Sequence, residues 1–267
     1  MTSDSLPPTT HTPVRVRAAI CPLQHEARVS SMQVSQALRG HPLAVVEVQG
    51  DWRRVRGLDG YEGWAHRGYL DESPDESAWA IRRLSLGCTV LAAAGPMRLP
   101  LGALLRADET VAEGEAIELA EWTRRFPPDA DAMVASAERW FAGTSYQWGG
   151  TTPWGADCSG FTQRIFMLHG PQRALLPRDA WQQAELGLPH WGAVTGGLEA
   201  LEPGDLLFFS DREDRRITHV GLASTPTRMM HLALGRGGWA HERLEDTHDG
   251  YVRALRERFI SALRRKD

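Results

Sequence analysis

Three residues could do chemistry together: Cys158, His219 and His231. Cys158 stands in YQWGGTTPWGADCSGF, residues 146–161, and is one of only three cysteines in 267 residues. It opens the run CSGFTQRIFMLHG. The spacing predicts a helix with Phe161, Ile165 and Leu168 on one face, ended by Gly170 and Pro171. A thiol at that position faces unpaired backbone N–H groups and the positive end of the helix dipole. Both favour thiolate, the nucleophilic form. Glycines at 149, 150, 155 and 160 leave room for a substrate backbone to approach the sulfur.

A nucleophile needs a base. The chain has 10 histidines, so position must discriminate among them. In THVGLA, alternation puts His219, Gly221 and Ala223 on one face of a strand, and Val220 and Leu222 on the other. In MMHLAL, His231 sits inside an apolar strand, where an imidazole is costly without a polar partner. The connection STPTR is short, so the two strands can pair antiparallel with both rings on one side. One ring is then the base and the second orients it. Two plainer readings compete. One is a buried structural thiol with satisfied core histidines. The other is a Cys/His/His zinc site, for which no fourth ligand stands at a metal-like spacing. The expectation is that neither metal nor cofactor is needed. Cys21 and Cys88 read as structural thiols.

Composition narrows the function classes. The net charge is −4, and arginines mix with acids, as in DREDRR at 211–216. A nucleic-acid or anionic-membrane partner is not indicated. The cysteines are odd in number and form no CxxC, so neither a disulfide framework nor a zinc ribbon is suggested. MTSDSLPPTTHTP lacks a basic segment followed by an apolar run, and no window has the apolar length of a membrane span. The expected location is the cytoplasm. Oligomeric state is left open.

The elements that must carry these residues fall into several small domains. Residues 1–13 read as a disordered tail. From 14 to 72 the texture is β, with LAVVEVQG, WRRVRG and YEGWAH separated by turn signals, and DESPDES at 71–77 as a linker. A second, less marked barrel is expected within 73–125, and FPPDA at 126–130 marks a boundary. Residues 126–267 begin with a helix in DADAMVASAERWFAG, with Met133, Ala137 and Trp140 on one face and Asp129 or Asp131 as cap. The strands DLLFFSD, THVGLAS and RMMHLALG follow, which makes this part α+β. HERLEDTHDG reads as a solvated loop and RERFISALRRKD as a terminal helix.

The set YQWGGTTPWGADCSGF, LEPGDLLFF, HVGLA and a strand histidine twelve residues after the first resembles the NlpC/P60 cysteine peptidases over the last half of the chain. GHPLAVVEVQGDWRRVRGLDGYEGWAHRGYL is similar to a bacterial SH3-like domain. The resemblance implies a multidomain fold: two N-terminal SH3-like β-barrels followed by an α+β papain-like catalytic domain. It implies Cys158 as nucleophile, His219 as base and His231 as the orienting residue. LLPRDAWQQ, together with the SH3-like domains, resembles the γ-D-glutamyl-L-diamino acid endopeptidase branch that recycles murein peptides. That branch implies Asp179 as receptor for the free amine of an N-terminal L-alanine, which an intact glycan strand would block. It implies substrate contacts from Tyr146, Asp157 and Ser159, and from Tyr61 and Glu26 of the first SH3-like domain. The implied ligands are murein-derived peptides, split to release L-Ala-D-Glu. The rivals are a hydrolase of intact wall crosslinks, an acyl-transferring relative, and a wall-binding protein without activity.

Overall fold

The computed structural model describes residues 12–73, 79–92, 95–170, 175–187 and 189–266. The expected tail up to residue 11, most of the expected linker (74–77) and Pro171 lie outside the described residues. Thr12 and Pro13, expected in the tail, already belong to a strand and pair with Val45 and Ala44.

The first unit is a seven-stranded antiparallel sheet. Its strands are β1 (Thr12–Val16), β2 (Ile20–Gln24), β3 (Gln33–Leu38), β4 (Pro42–Gln49), β5 (Trp52–Arg56), β6 (Glu62–His66) and β7 (Leu70–Asp71), in the order β3-β2-β6-β5-β4-β1-β7. Alternation along these short strands points Val14, Val16, Leu23, Val55 and Ala65 into a small core that also holds Cys21. A four-stranded sheet follows: β8 (Ile81–Ala92), β9 (Gly95–Leu99), β10 (Leu104–Arg106) and β11 (Thr110–Glu118). The long β8 pairs with all three others.

The C-terminal unit opens with α1 (Trp122–Arg125) and α2 (Ala130–Phe141). Asp129 caps α2 by accepting the N–H of Ala132 at 2.9 Å. A two-residue hairpin, β12 (Thr151–Thr152) and β13 (Gly155–Ala156), leads into α3 (Cys158–Leu168), and α4 (Ala180–Ala184) follows. The sheet comprises β14 (Trp191–Ala193), β15 (Leu206–Phe209), β16 (His219–Thr225), β17 (Arg228–Ala233), β18 (Gly238–Arg243) and β19 (Phe259–Arg265), with α5 (Gly250–Glu257) before the last strand. The order is β14-β19-β15-β16-β17-β18.

The apolar face of α3 packs on one side of that sheet. Phe161, Ile165 and Leu168 are fully buried against Phe208, Val220, Leu222 and Met230. Each such side chain contributes about 1.5–3 kcal/mol of burial. The other side holds Leu207, Phe209, Ala223 and Met229 under Leu255 of α5. Two sequence expectations fail here. RERFISALRRKD supplies a strand, because β19 fills the gap between β14 and β15 and its backbone groups complete both ladders. HERLEDTHDG is not a solvated loop: His241–Arg243 finish β18, paired with β17, and Glu242 is buried.

Candidate active site

α3 begins at Cys158, with Asp157 as its N-cap. One carboxylate oxygen of Asp157 accepts the N–H of Gly160 at 2.8 Å, and the other accepts that of Gly149 at 2.8 Å. These bonds tie the loop before the helix to its first turn and hold the thiol in the wall of a cavity of about 750 Å³. The neighbouring glycines do not leave space for substrate. A Cβ on Gly160 would lie 2.1 Å from the carbonyl oxygen of Gly150, and one on Gly149 would lie 2.8 Å from that of Gln33. Their small size serves loop-to-helix and barrel-to-loop packing.

His219 starts β16 and lines the same cavity as Cys158. The next backbone N–H on that strand, that of Val220, donates to the sulfur, as does that of Ser159. His231, on the antiparallel β17, is fully buried behind His219. Nε2 of His219 and Nδ1 of His231 are 2.7 Å apart, and the rings meet edge to face with centroids 4.9 Å apart. The two strands thus bring both imidazoles to one side.

Electrostatics differ from the sequence expectation. Burial, then the adjacent charge of Asp157, pushes the Cys158 thiol up to about 12. The Val220 and Ser159 N–H groups and the Arg178 charge act the other way and do not prevail. His219 is held well below its ordinary value by burial and by the neighbouring His231. Burial thus favours the uncharged form of both groups, and position at the helix start does not by itself lower the Cys158 pKa.

The remaining expected residues separate into three groups. Tyr61, Tyr146 and Asp179 line the cavity. The Tyr61 hydroxyl, carried by the loop before β6, hydrogen-bonds to the Asp179 carboxylate, as does Trp181. Asp179 precedes α4, and burial raises its pKa above the usual carboxylate value. Asp157 and Ser159 also border the cavity but are consumed internally, both by Arg178. Glu26 is off the site. Residues 26–31 form a tip closed by the His25 N–H to Met32 carbonyl bond, which turns Glu26 out to solvent, where it pairs with Arg28. The ends of that tip, His25 and Met32, line the cavity instead.

Sequence reasoning missed two groups. Arg178, the arginine of LLPRDAW, is 1% exposed and reaches Asp157, Ser159 and Ser35. Its signal was a cation beside Asp179 in an otherwise apolar stretch. Glu242 lies 3.5 Å from Nε2 of His231 and accepts Nε of Arg236 at 2.7 Å. Alternation in GWAHER could have flagged it. Among the described residues, no three His, Cys, Asp or Glu side chains form a metal-holding group, and no helix is long and apolar enough to cross a membrane.

The NlpC/P60 family profile matches residues 143–252, which span Cys158, His219, His231 and most of the cavity wall. A probable endopeptidase of Haemophilus influenzae is 33% identical over 122 residues, covering 46% of this chain and 70% of that protein. The chain belongs to the NlpC/P60 family. It is a cysteine peptidase of that family with a bacterial SH3 domain, whose profile matches residues 25–71. A Bacillus subtilis protein named gamma-D-glutamyl-L-lysine dipeptidyl-peptidase is 28% identical over 221 residues, 74% of this chain and 71% of that protein. The crystal structure of an NlpC/P60 family protein from Bacillus cereus shares the fold, with a TM-score of 0.71 and 20% identity over 94% of this chain and 98% of that one.

Proposed function

We propose that this NlpC/P60 peptidase hydrolyses the γ-D-glutamyl–L-diamino acid bond of murein stem peptides that carry a free N-terminal L-alanine. The observation that carries the reading is Asp179. Its carboxylate lines the cavity, accepts from Tyr61 of the SH3-like unit and from Trp181, and feels the charge of Arg178, whose guanidinium bonds to Asp157. A half-buried carboxylate of this kind rewards an incoming ammonium, and an acylated amine would bring it no charge-assisted bond. The name of the Bacillus subtilis relative supports the bond class.

In the proposed reaction the Cys158 sulfur attacks the γ-carbonyl carbon while His219 takes the thiol proton. Backbone N–H groups at the start of α3, that of Cys158 among them, hold the oxyanion. His219 then passes the proton to the leaving amine. Water adds to the thioester, and L-Ala-D-Glu is released. Tyr146 and Tyr61 wall the acyl side of the cavity. On this reading β8–β11 are a degenerate second SH3-like barrel, the part from residue 126 is papain-like, and the enzyme works in the cytoplasm on released wall fragments.

The test is mass spectrometry of L-Ala-γ-D-Glu-meso-diaminopimelate and its lysine counterpart, each beside its N-acetylated form. Cleavage of the free peptides alone is the expected result. Equal cleavage of acetylated peptides would replace the recycling role with general wall hydrolysis. Failure on all four would overturn the proposal.

A further inference from the structure

The hydrogen-bond chain behind His219 does not stop at His231. Nδ1 of His231 is engaged by Nε2 of His219 at 2.7 Å, so only Nε2 of His231 remains for another partner. That atom faces Oε1 of Glu242 at 3.5 Å. His231 is 0% exposed and Glu242 7%, so water does not screen the pair. Glu242 is itself fixed by Arg236, which donates Nε to one carboxylate oxygen at 2.7 Å and Nη2 to the other at 3.1 Å. Arg236 also donates to Asp249, the N-cap of α5, at 2.6 Å, and lies over the Tyr251 ring at 4.4 Å.

We propose that Glu242 is a positioning residue for the base: its carboxylate holds the His231 proton on Nε2, which sets the tautomer of His219. With that proton on Nε2, Nδ1 of His231 carries a lone pair and must accept from Nε2–H of His219. Nδ1 of His219 is then left bare to take the Cys158 proton. The reverse tautomer of His231, with its proton on Nδ1, would either put two N–H groups between the rings or force the His219 proton onto Nδ1, the nitrogen the thiol needs. When His219 becomes imidazolium during attack, the negative charge two hydrogen bonds away stabilises it. The charged and titratable groups around this chain are Cys158 at the helix start, Arg236 and Asp249 beyond Glu242, and Tyr251 from α5. Burial would raise the Glu242 pKa, but its contacts with His231 and Arg236 outweigh this and keep it an anion. The inference rests on Cys158 and His219 being nucleophile and base.

The first test needs no substrate. Long-range ¹H–¹⁵N spectra of the intact wild-type protein should show His231 protonated on Nε2 and not on Nδ1, and His219 bare on Nδ1. His231 protonated on Nδ1 would overturn the proposal even if the enzyme cleaves every peptide offered. The second test is kinetic. Glu242→Ala should lower kcat by roughly 10- to 100-fold at little change in KM, by analogy with the loss seen when hydrogen-bond partners of metal-ligating histidines are removed. Glu242→Gln, which keeps volume and an acceptor oxygen, should recover part of that loss. Both should move the acid limb of the kcat/KM profile to lower pH, because the charge that favours protonated imidazole is gone. A folded Glu242→Gln enzyme with wild-type kcat and an unmoved acid limb would overturn it as well.

Discussion

The guanidinium of Arg178 grips both oxygens of Asp157, with Nη1 at 2.9 Å from one and Nη2 at 2.7 Å from the other. The same side chain donates Nε to Ser35 of the SH3-like unit at 3.2 Å. One buried arginine thus joins the cap of the nucleophile helix to the neighbouring domain. Truncation should expose the cost of the unpaired partner. Arg178→Ala leaves the Asp157 carboxylate buried without its counter-ion and should destabilise the protein by about 3–5 kcal/mol. Urea unfolding checks this, and a loss under 1 kcal/mol would mean that water or another group takes over.

Asp179 should trade stability for recognition. Burial raises its pKa, so the folded protein disfavours the charged form relative to the unfolded chain. The sign follows: above the ordinary carboxylate range this group subtracts from stability, and the penalty fades as pH falls through the raised value. Asp179→Asn keeps a good cap residue and removes the charge. It should raise Tm at pH 7 while abolishing discrimination between free and N-acetylated peptides. A lower Tm with discrimination intact would contradict both halves.

The raised Asp179 pKa also sets a pH dependence of binding. Ammonium capture needs the carboxylate, so KM for the free peptide should climb on acidification earlier than an ordinary aspartate would allow. The acetylated peptide, if cleaved at all, should show no such rise. Steady-state kinetics between pH 4 and 7, on the order of the Asp and His range, would decide it.

Cys158 should be a poor nucleophile until substrate arrives. Its thiol is pushed up to about 12 by burial and Asp157. Alkylation of Cys158 by iodoacetamide in the free enzyme should therefore keep accelerating well beyond the range of an ordinary thiol. A plateau below neutrality would reveal a thiolate–imidazolium pair at rest.

Gly149 should report on domain contact. It has φ +73°, and a Cβ there would meet both the carbonyl oxygen and the side chain of Gln33 on β3. Gly149→Ala should push the SH3-like wall away from the cavity, raising KM roughly tenfold or more with kcat less affected. A change in kcat alone would place the effect at the thiol.

The sequence by itself determined the parts that depend on local pattern. The apolar period of α3 and the alternation of β15, β16 and β17 put Cys158 at a helix start and the two histidines on adjacent strands. Those patterns are legible because side-chain direction repeats with the backbone period. Tertiary structure decided what depends on partners distant in the chain. β19 is a strand because it closes ladders with β14 and β15, which overrides the helix-like look of RERFISALRRKD. Glu26 leaves the site because its tip turns outward, and Glu242 enters the relay because β18 pairs with β17. The protonation of Cys158 belongs to the same class. A helix dipole can be read from position, but desolvation and the charge of Asp157 act through burial, and burial exists only after the chain has packed.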